Sequence, residues 1–264
     1  MLLCVASLLA ASSLIRAAPQ APAATPASAL AAIKAAAMAG DYAGDLPALA
    51  RVRADALAYV DDPNVGYLAR YWAGYASWRS ALNGAYRRMP VTDQRAHAEA
   101  ALRDFEASVR LRPGFADGYA AAASSAGFLI PFKMNDRDAV IASSARVKAL
   151  LAKALELEPD NPRVLWVQGG DYLFKPAQVG GDPVKALAIY RRATQVASDR
   201  DAASPVPDWG EAEAWMALAY AHINQSPPDA TAAARAAEEA LRLQPGWSYV
   251  REILIPQIRS AGRD

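Results

Sequence analysis

Two histidines, His97 and His222, and a single cysteine, Cys4, are the soft-metal ligands this chain offers. Zinc and related ions are held by histidines one helical turn apart or by Cys/His loop pairs, and neither spacing occurs, so a metal would fall to carboxylates alone. His97 is expected to face solvent ahead of a helix or to pair with Glu99, and His222 to pack at a helix crossing. The carboxylates Asp61-Asp62, Asp199, Asp201 and Glu238-Glu239 lie at helix ends or on polar faces. None has a neighbour in sequence that would set one up as acid and the other as base. Gly180-Gly181-Asp182 invites a phosphate cradle, because glycine backbones expose N–H groups at a helix start. No lysine and hydroxyl follow the glycines as in a nucleotide-binding loop. The alternative assigns the glycines to a turn with positive φ, Asp182 to an N-cap and Pro183 to the first helical position. Gly-x-Ser-x-Gly is absent. These residues predict no catalytic group, no cofactor and no metal.

What rises above background is aromatic. Tyr67, Tyr71, Trp72, Tyr75 and Trp78 fall in one stretch, Trp166, Tyr172 and Phe174 in another, Trp215 and Tyr220 in a third. The elements that must carry them repeat. Trp215-x-x-Leu218-Ala219-x-x-His222, then Ala233-x-x-x-Ala237-x-x-Ala240, then Pro245, puts bulky and small side chains at the seams of two antiparallel helices. The second half of this pattern lies down the chain four times: Ala101, Phe105, Ser108 and Pro113; Val147, Leu151, Ala154 and Pro159; Ala186, Tyr190 and Ala193, with Ser198 in the proline position; and Ala233, Ala237, Ala240 and Pro245. Apolar helices precede each copy at Tyr67 to Leu82, Ala116 to Ile130, Pro162 to Phe174 and Glu211 to Asn224. Alanine favours helix and lets backbones approach closely, while proline ends each second helix.

On these residues the chain resembles the tetratricopeptide repeat family, over most of residues 64–260. The resemblance implies an all-α solenoid of stacked antiparallel hairpins with a right-handed superhelical course. The copies are spaced more widely than the family's roughly 34 residues, which predicts inserted loops around Gly127 to Met134, Lys175 to Pro183 and Ser198 to Trp209. Asn161-Pro162-Arg163, Gly180-Gly181-Asp182 and Pro207-Asp208-Trp209-Gly210 are similar to a subgroup of exported bacterial repeat proteins of undefined function. In the resembled fold the first helices line a concave groove. Its inward positions map here onto Arg163, Trp166, Gly170 and Leu173, and onto Glu213, Met216, Tyr220 and Ile223.

Around the four hairpins of residues 64–247, further elements are predicted. Ala27 to Met38 and Asp45 to Val60 form a degenerate helix pair, joined through Gly40 to Asp45, within a segment spanning residues 24–63. Asp62 is expected to cap the next helix with Pro63 behind it. Residues 248–264 supply a closing helix from Ser248 to Ser260, with Tyr249, Ile253 and Leu254 inward and a kink at Pro256. At the other end, the apolar run Leu2 to Ile15 is too short to span a bilayer, which takes about 20 apolar residues. Followed by Ala21-Pro22-Ala23, it reads as a secretory signal peptide over residues 1–23. Cys4 precedes the apolar run and so does not fit a lipidated position.

The chain has 264 residues, 53% of them hydrophobic, with 28 Lys+Arg against 27 Asp+Glu. The two signs are interspersed, which excludes the electrostatic footprint of nucleic-acid or anionic-membrane binders. The sequence therefore predicts a non-catalytic, exported, periplasmic repeat scaffold that binds a protein or peptide partner in its groove for assembly at the cell envelope. The alternative is a carrier of a hydrophobic small molecule in envelope transport.

Overall fold

Start and stop signals in the sequence set most of the helix boundaries. The computed structural model describes residues 25–196 and 201–262, so the predicted signal segment with Cys4, and Ser198 and Asp199, lie outside the described residues. The described chain is all-helical, without strands: α1 (Pro26–Ala43), α2 (Leu46–Leu57), α3 (Gly66–Tyr86), α4 (Val91–Leu111), α5 (Ala116–Phe128), α6 (Arg137–Leu157), α7 (Pro162–Phe174), α8 (Pro183–Ala193), α9 (Glu211–Asn224), α10 (Ala230–Leu243) and α11 (Ile255–Ala261). Asp45, Asp136, Asn161, Asp182 and Asp229 each accept a hydrogen bond from a backbone N–H in the first turn of the helix that follows. Such a cap stabilises its helix by about 1 kcal/mol. Pro113, Pro159 and Pro245 stand just beyond the ends of α4, α6 and α10, where they forbid another turn.

Three boundaries differ from the sequence expectation. Gly40 to Ala43 are helical, and the first turn falls at Gly44, whose φ of 64° lies in the left-handed region that glycine tolerates. Asp62 does not cap a helix at Pro63. It accepts from the N–H groups of Asn64 and Val65, closing a local turn, and α3 begins at Gly66. The closing helix is not simply kinked at Pro256: a π-helical turn, Val250–Leu254, precedes α11. Pro256 has no N–H to return to the preceding turn and its ring crowds that turn, and the wider turn relieves both. Val250, Leu254 and Ile258 are its buried residues, while Tyr249 and Ile253 are half-buried.

Each helix packs against the next in the chain, from α1 on α2 to α9 on α10, and α1, α3, α5, α7 and α9 also touch in succession. These odd-numbered helices make one continuous layer. Its seams follow residue size. Gly169 lies so close beneath Tyr190 that a Cβ there would sit 2.3 Å from the ring, and Phe105 sits over Gly74 in the same way. Helix α3 is apolar on nearly every side, and Tyr71, Trp72, Tyr75 and Trp78 are all fully buried, as befits a helix enclosed on all faces. The layer also closes on itself: Tyr42 of α1 meets Trp247 edge-on with ring centroids 5.0 Å apart, and Tyr86 of α3 meets Tyr249 at 5.3 Å.

Alanine at Gly169 gains about 1 kcal/mol of helix propensity but overpacks against a ring that has nowhere to go, a penalty of about 1 to 3 kcal/mol. Gly169→Ala is therefore expected to lower the urea midpoint. Gly114→Ala, in a turn with no atom within 4 Å of the added carbon, is expected to leave it unchanged or raise it.

Candidate functional site

The layer of odd-numbered helices converges on one buried cation. Arg79 of α3 is 4% exposed. Its Nε donates to Asp41 Oδ2 of α1 at 2.7 Å, and its Nη2 to Glu213 Oε1 of α9 at 3.4 Å. Each carboxylate has further donors. Asp41 accepts from the Tyr75 hydroxyl at 3.0 Å and from Asn83 Nδ2 at 2.8 Å. Glu213 accepts from the Tyr42 hydroxyl at 2.8 Å and from the Gly210 N–H at 2.9 Å. The Arg79 Cζ also lies 5.3, 5.0, 5.8 and 5.4 Å from the ring centroids of Tyr75, Trp78, Trp166 and Trp209, within reach of cation–π attraction. Burial works against the guanidinium charge, but Asp41, Tyr75 and Glu213 outweigh it and hold its pKa well above the usual value. Burial pushes the Glu213 carboxyl upward, and Arg79 and the Tyr42 hydroxyl counter that only in part. The Tyr42 and Tyr75 hydroxyls are raised as well, chiefly by burial.

Across this cluster lies the segment from Asp201 to Gly210, part of the third predicted insertion. Trp209 is buried, with its ring centroid 5.8 Å from Tyr75, 5.8 Å from Trp78 and 5.9 Å from Trp166, and its Nε1 donates to the Tyr71 hydroxyl at 2.9 Å. Asp208 pairs with Lys34 of α1 at 2.7 Å. Gly210, with φ of 125°, turns the chain into α9.

The predicted groove residues divide between two environments. Arg163, Trp166 and Glu213 are engaged internally. Arg163 Nε donates to Asp117 of α5 at 2.6 Å and its Nη1 to the Trp209 carbonyl at 2.8 Å; Trp166 packs edge-on against Trp78 at 5.7 Å; and Glu213 is 0% exposed. Leu173, Met216, Tyr220 and Ile223 are half-buried, as is Gly170. Tyr220 lies 5.7 Å from the ring of Phe174, which is 68% exposed at the end of α7.

Sequence reasoning did not single out Lys34, Asp41, Tyr42, Arg79 or Trp209 as members of a site. One signal was there: Arg79 is a charge in the middle of an aromatic-rich helix, beside Trp78 and one turn from Tyr75, where burial would require a partner.

The other candidates sit in ordinary surroundings. Glu99 pairs with Arg95 at 2.8 Å rather than with His97, whose imidazole burial and the nearby Arg53 hold below its usual pKa. His222 is buried, with its pKa lowered by burial. Gly180 has the positive φ, 97°, whereas Gly181 is needed for space, since a Cβ there would sit 1.8 Å from the Lys175 carbonyl oxygen. Among the described residues no group of three or more His, Cys, Asp or Glu side chains is arranged to hold a metal ion. No helix among them is long and apolar enough to cross a membrane.

The raised pKa of Glu213 has a definite sign. The folded protein binds that proton more tightly than the unfolded chain does, so this group's contribution is greatest below the ordinary Glu value and is lost as pH rises through the folded value. In urea titrations stepped upward from about pH 4, near the ordinary carboxylate range, Glu213→Gln should gain stability relative to the native protein as pH rises. A pH-independent difference would remove the assignment.

No protein-family model matches the chain, and no curated protein matches it. Among solved structures it is similar to the HusA haemophore from Porphyromonas gingivalis, with 23% identity over 74% of this chain and 93% of that chain and a TM-score of 0.48.

Proposed function

We propose that this protein is a non-catalytic scaffold of tetratricopeptide-like hairpins that holds a protein or peptide partner at the cell envelope. In this reading the successive helix pairs stack as a right-handed solenoid, and the apolar run Leu2 to Ile15 with Ala21-Pro22-Ala23 directs the chain to the periplasm. The observation that carries the proposal is the Phe174–Tyr220 pair. Phe174 is 68% exposed and rests on half-buried Tyr220, with Leu173, Met216 and Ile223 partly accessible on the same helices. Aromatic side chains standing at the edge of an apolar surface are the usual anchors of protein interfaces. The partner is accordingly placed on this accessible end of the odd-helix layer, away from Arg163, Trp166 and Glu213.

The test is a photoreactive phenylalanine analogue at position 174, irradiated in the native envelope, with the same analogue at exposed Arg103 as control. A protein adduct at 174 alone, lost in the Tyr220→Ala background, is expected. Tyr220→Ala together with Phe174→Ala should weaken capture of the identified partner by about 2 kcal/mol or more per anchor. Equal adducts at both positions, or a copurifying molecule of small mass in place of a protein, would overturn the proposal.

A further inference from the structure

The segment from Asp201 to Gly210 is held in the way a bound peptide is held. It forms no helix or strand, and the hydrogen bond between its own backbone groups runs from Ser204 N–H to the Asp201 carbonyl. Three of its carbonyls are gripped from outside, that of Asp201 in addition to its bond from Ser204. The Asp201 carbonyl accepts from Lys34 Nζ of α1 at 2.8 Å, the Pro205 carbonyl from Trp72 Nε1 of α3 at 2.8 Å, and the Trp209 carbonyl from Arg163 Nη1 of α7 at 2.8 Å. Three donors from three helices thus meet carbonyls at every fourth residue of one strand of chain. Contacts of this kind bind a main chain and leave specificity to a few side-chain pockets. Two pockets are present: Lys34 takes the Asp208 carboxylate at 2.7 Å, and the rings of Tyr75, Trp78 and Trp166 enclose Trp209. After the turn closed by Ser204 and Asp201, Pro205 and Pro207 stiffen the rest of the segment and lower the cost of ordering it.

The segment also has the features of an occupant that can leave. Val206 is 44% exposed. A cleft of about 220 Å³, lined by Lys34, Met38, Asp208 and Trp209, opens along the border with α1. Gly210 provides a joint at its C-terminal end. The helix pairs on either side keep their own seams without it, through pairs such as Gly74 with Phe105 and Gly169 with Tyr190. Segments with few backbone hydrogen bonds of their own open well before the whole domain does.

We propose that the layer formed by α1, α3 and α7 is a receptor for an extended peptide carrying an Asp-Trp pair, and that residues 201–210 occupy it in cis. A partner bearing the same acidic and aromatic sequence would enter by displacing them. This deepens the scaffold reading by stating a partner chemistry, but its receptor is separate from the Phe174–Tyr220 surface and its test needs no cellular partner, so either can fail alone.

The probe is a fluorescent synthetic peptide with the sequence of residues 201–210, titrated by anisotropy into the full chain. The native protein, already occupied, should bind it weakly. Trp209→Ala should bind it at least tenfold more tightly, that is by roughly 1.4 kcal/mol, and adding Trp72→Phe or Lys34→Met should reverse the gain. A peptide with alanine in place of its tryptophan should not bind. A helical Trp209→Ala protein that binds no better than the native one would overturn the proposal. Should that variant fail to fold, hydrogen exchange on the native protein decides. Amides of Ala202, Ala203, Val206, Asp208 and Trp209 are expected to exchange at least tenfold faster than those of α3 and α4. Exchange at the rate of those helices would make the segment a permanent part of the core and end the idea.

Discussion

The arrangement depends on Arg79 being neutralised out of water. An isolated guanidinium in a protein interior costs several kcal/mol, and removing one member of a buried ion pair typically costs about 3 to 5 kcal/mol. Here the neutralising groups come from far along the chain, Asp41 on α1 and Glu213 on α9. The charge is therefore satisfied only when α1, α3 and α9 are assembled together. Burial, with a smaller push from Asp41, raises the proton affinity of Glu213, the carboxylate farther from the Arg79 guanidinium. Tyr42, Tyr75, Asn83 and the Gly210 N–H fill the remaining acceptor sites. That saturation makes burial tolerable.

The aromatic roof follows from the same requirement. Tyr75, Trp78, Trp166 and Trp209 surround the guanidinium, and their quadrupoles favour a cation while their bulk keeps water out. Arg163 extends the design outward by joining Asp117 of α5 to the Trp209 carbonyl. The result is an odd-helix layer whose central part is committed to internal polar contacts. Phe174 and Tyr220, on α7 and α9, stand outside that committed part, the first exposed and the second half-buried.

How much of this was legible in the sequence differs by kind of residue. Helix starts and stops were readable, because Asp, Asn, Pro and Gly act locally: Asn161-Pro162 and Asp182-Pro183 cap and start helices as their types require. Size complementarity was readable in part: Tyr190 is a bulky residue between the small Ala186 and Ala193, and it packs over Gly169. The site was hidden for physical reasons. Asp41 and Tyr42 sit where glycines on either side suggested a turn, yet α1 runs on through them. Trp209 lies in a stretch with no periodicity, so no pattern says which way its ring points. Glu213 occupies a position the repeat analogy assigns to a groove, and only the tertiary return of α1 covers it. Charges face solvent by default, and the exception at Arg79 shows only when the density of aromatic residues around it in α3 is weighed against that default.

The hydroxyl of Tyr42 reaches a carboxylate 171 positions further along the chain. At ribosomal speeds of about 5 to 20 residues per second, that separation corresponds to roughly 10 to 30 seconds. During that interval the nascent N-terminal helices have no counterpart for Tyr42 and Lys34, and the finished state cannot lock before nearly all of the polypeptide exists. Such late completion leaves the emerging chain without its longest-range polar contacts until the last helices have been made.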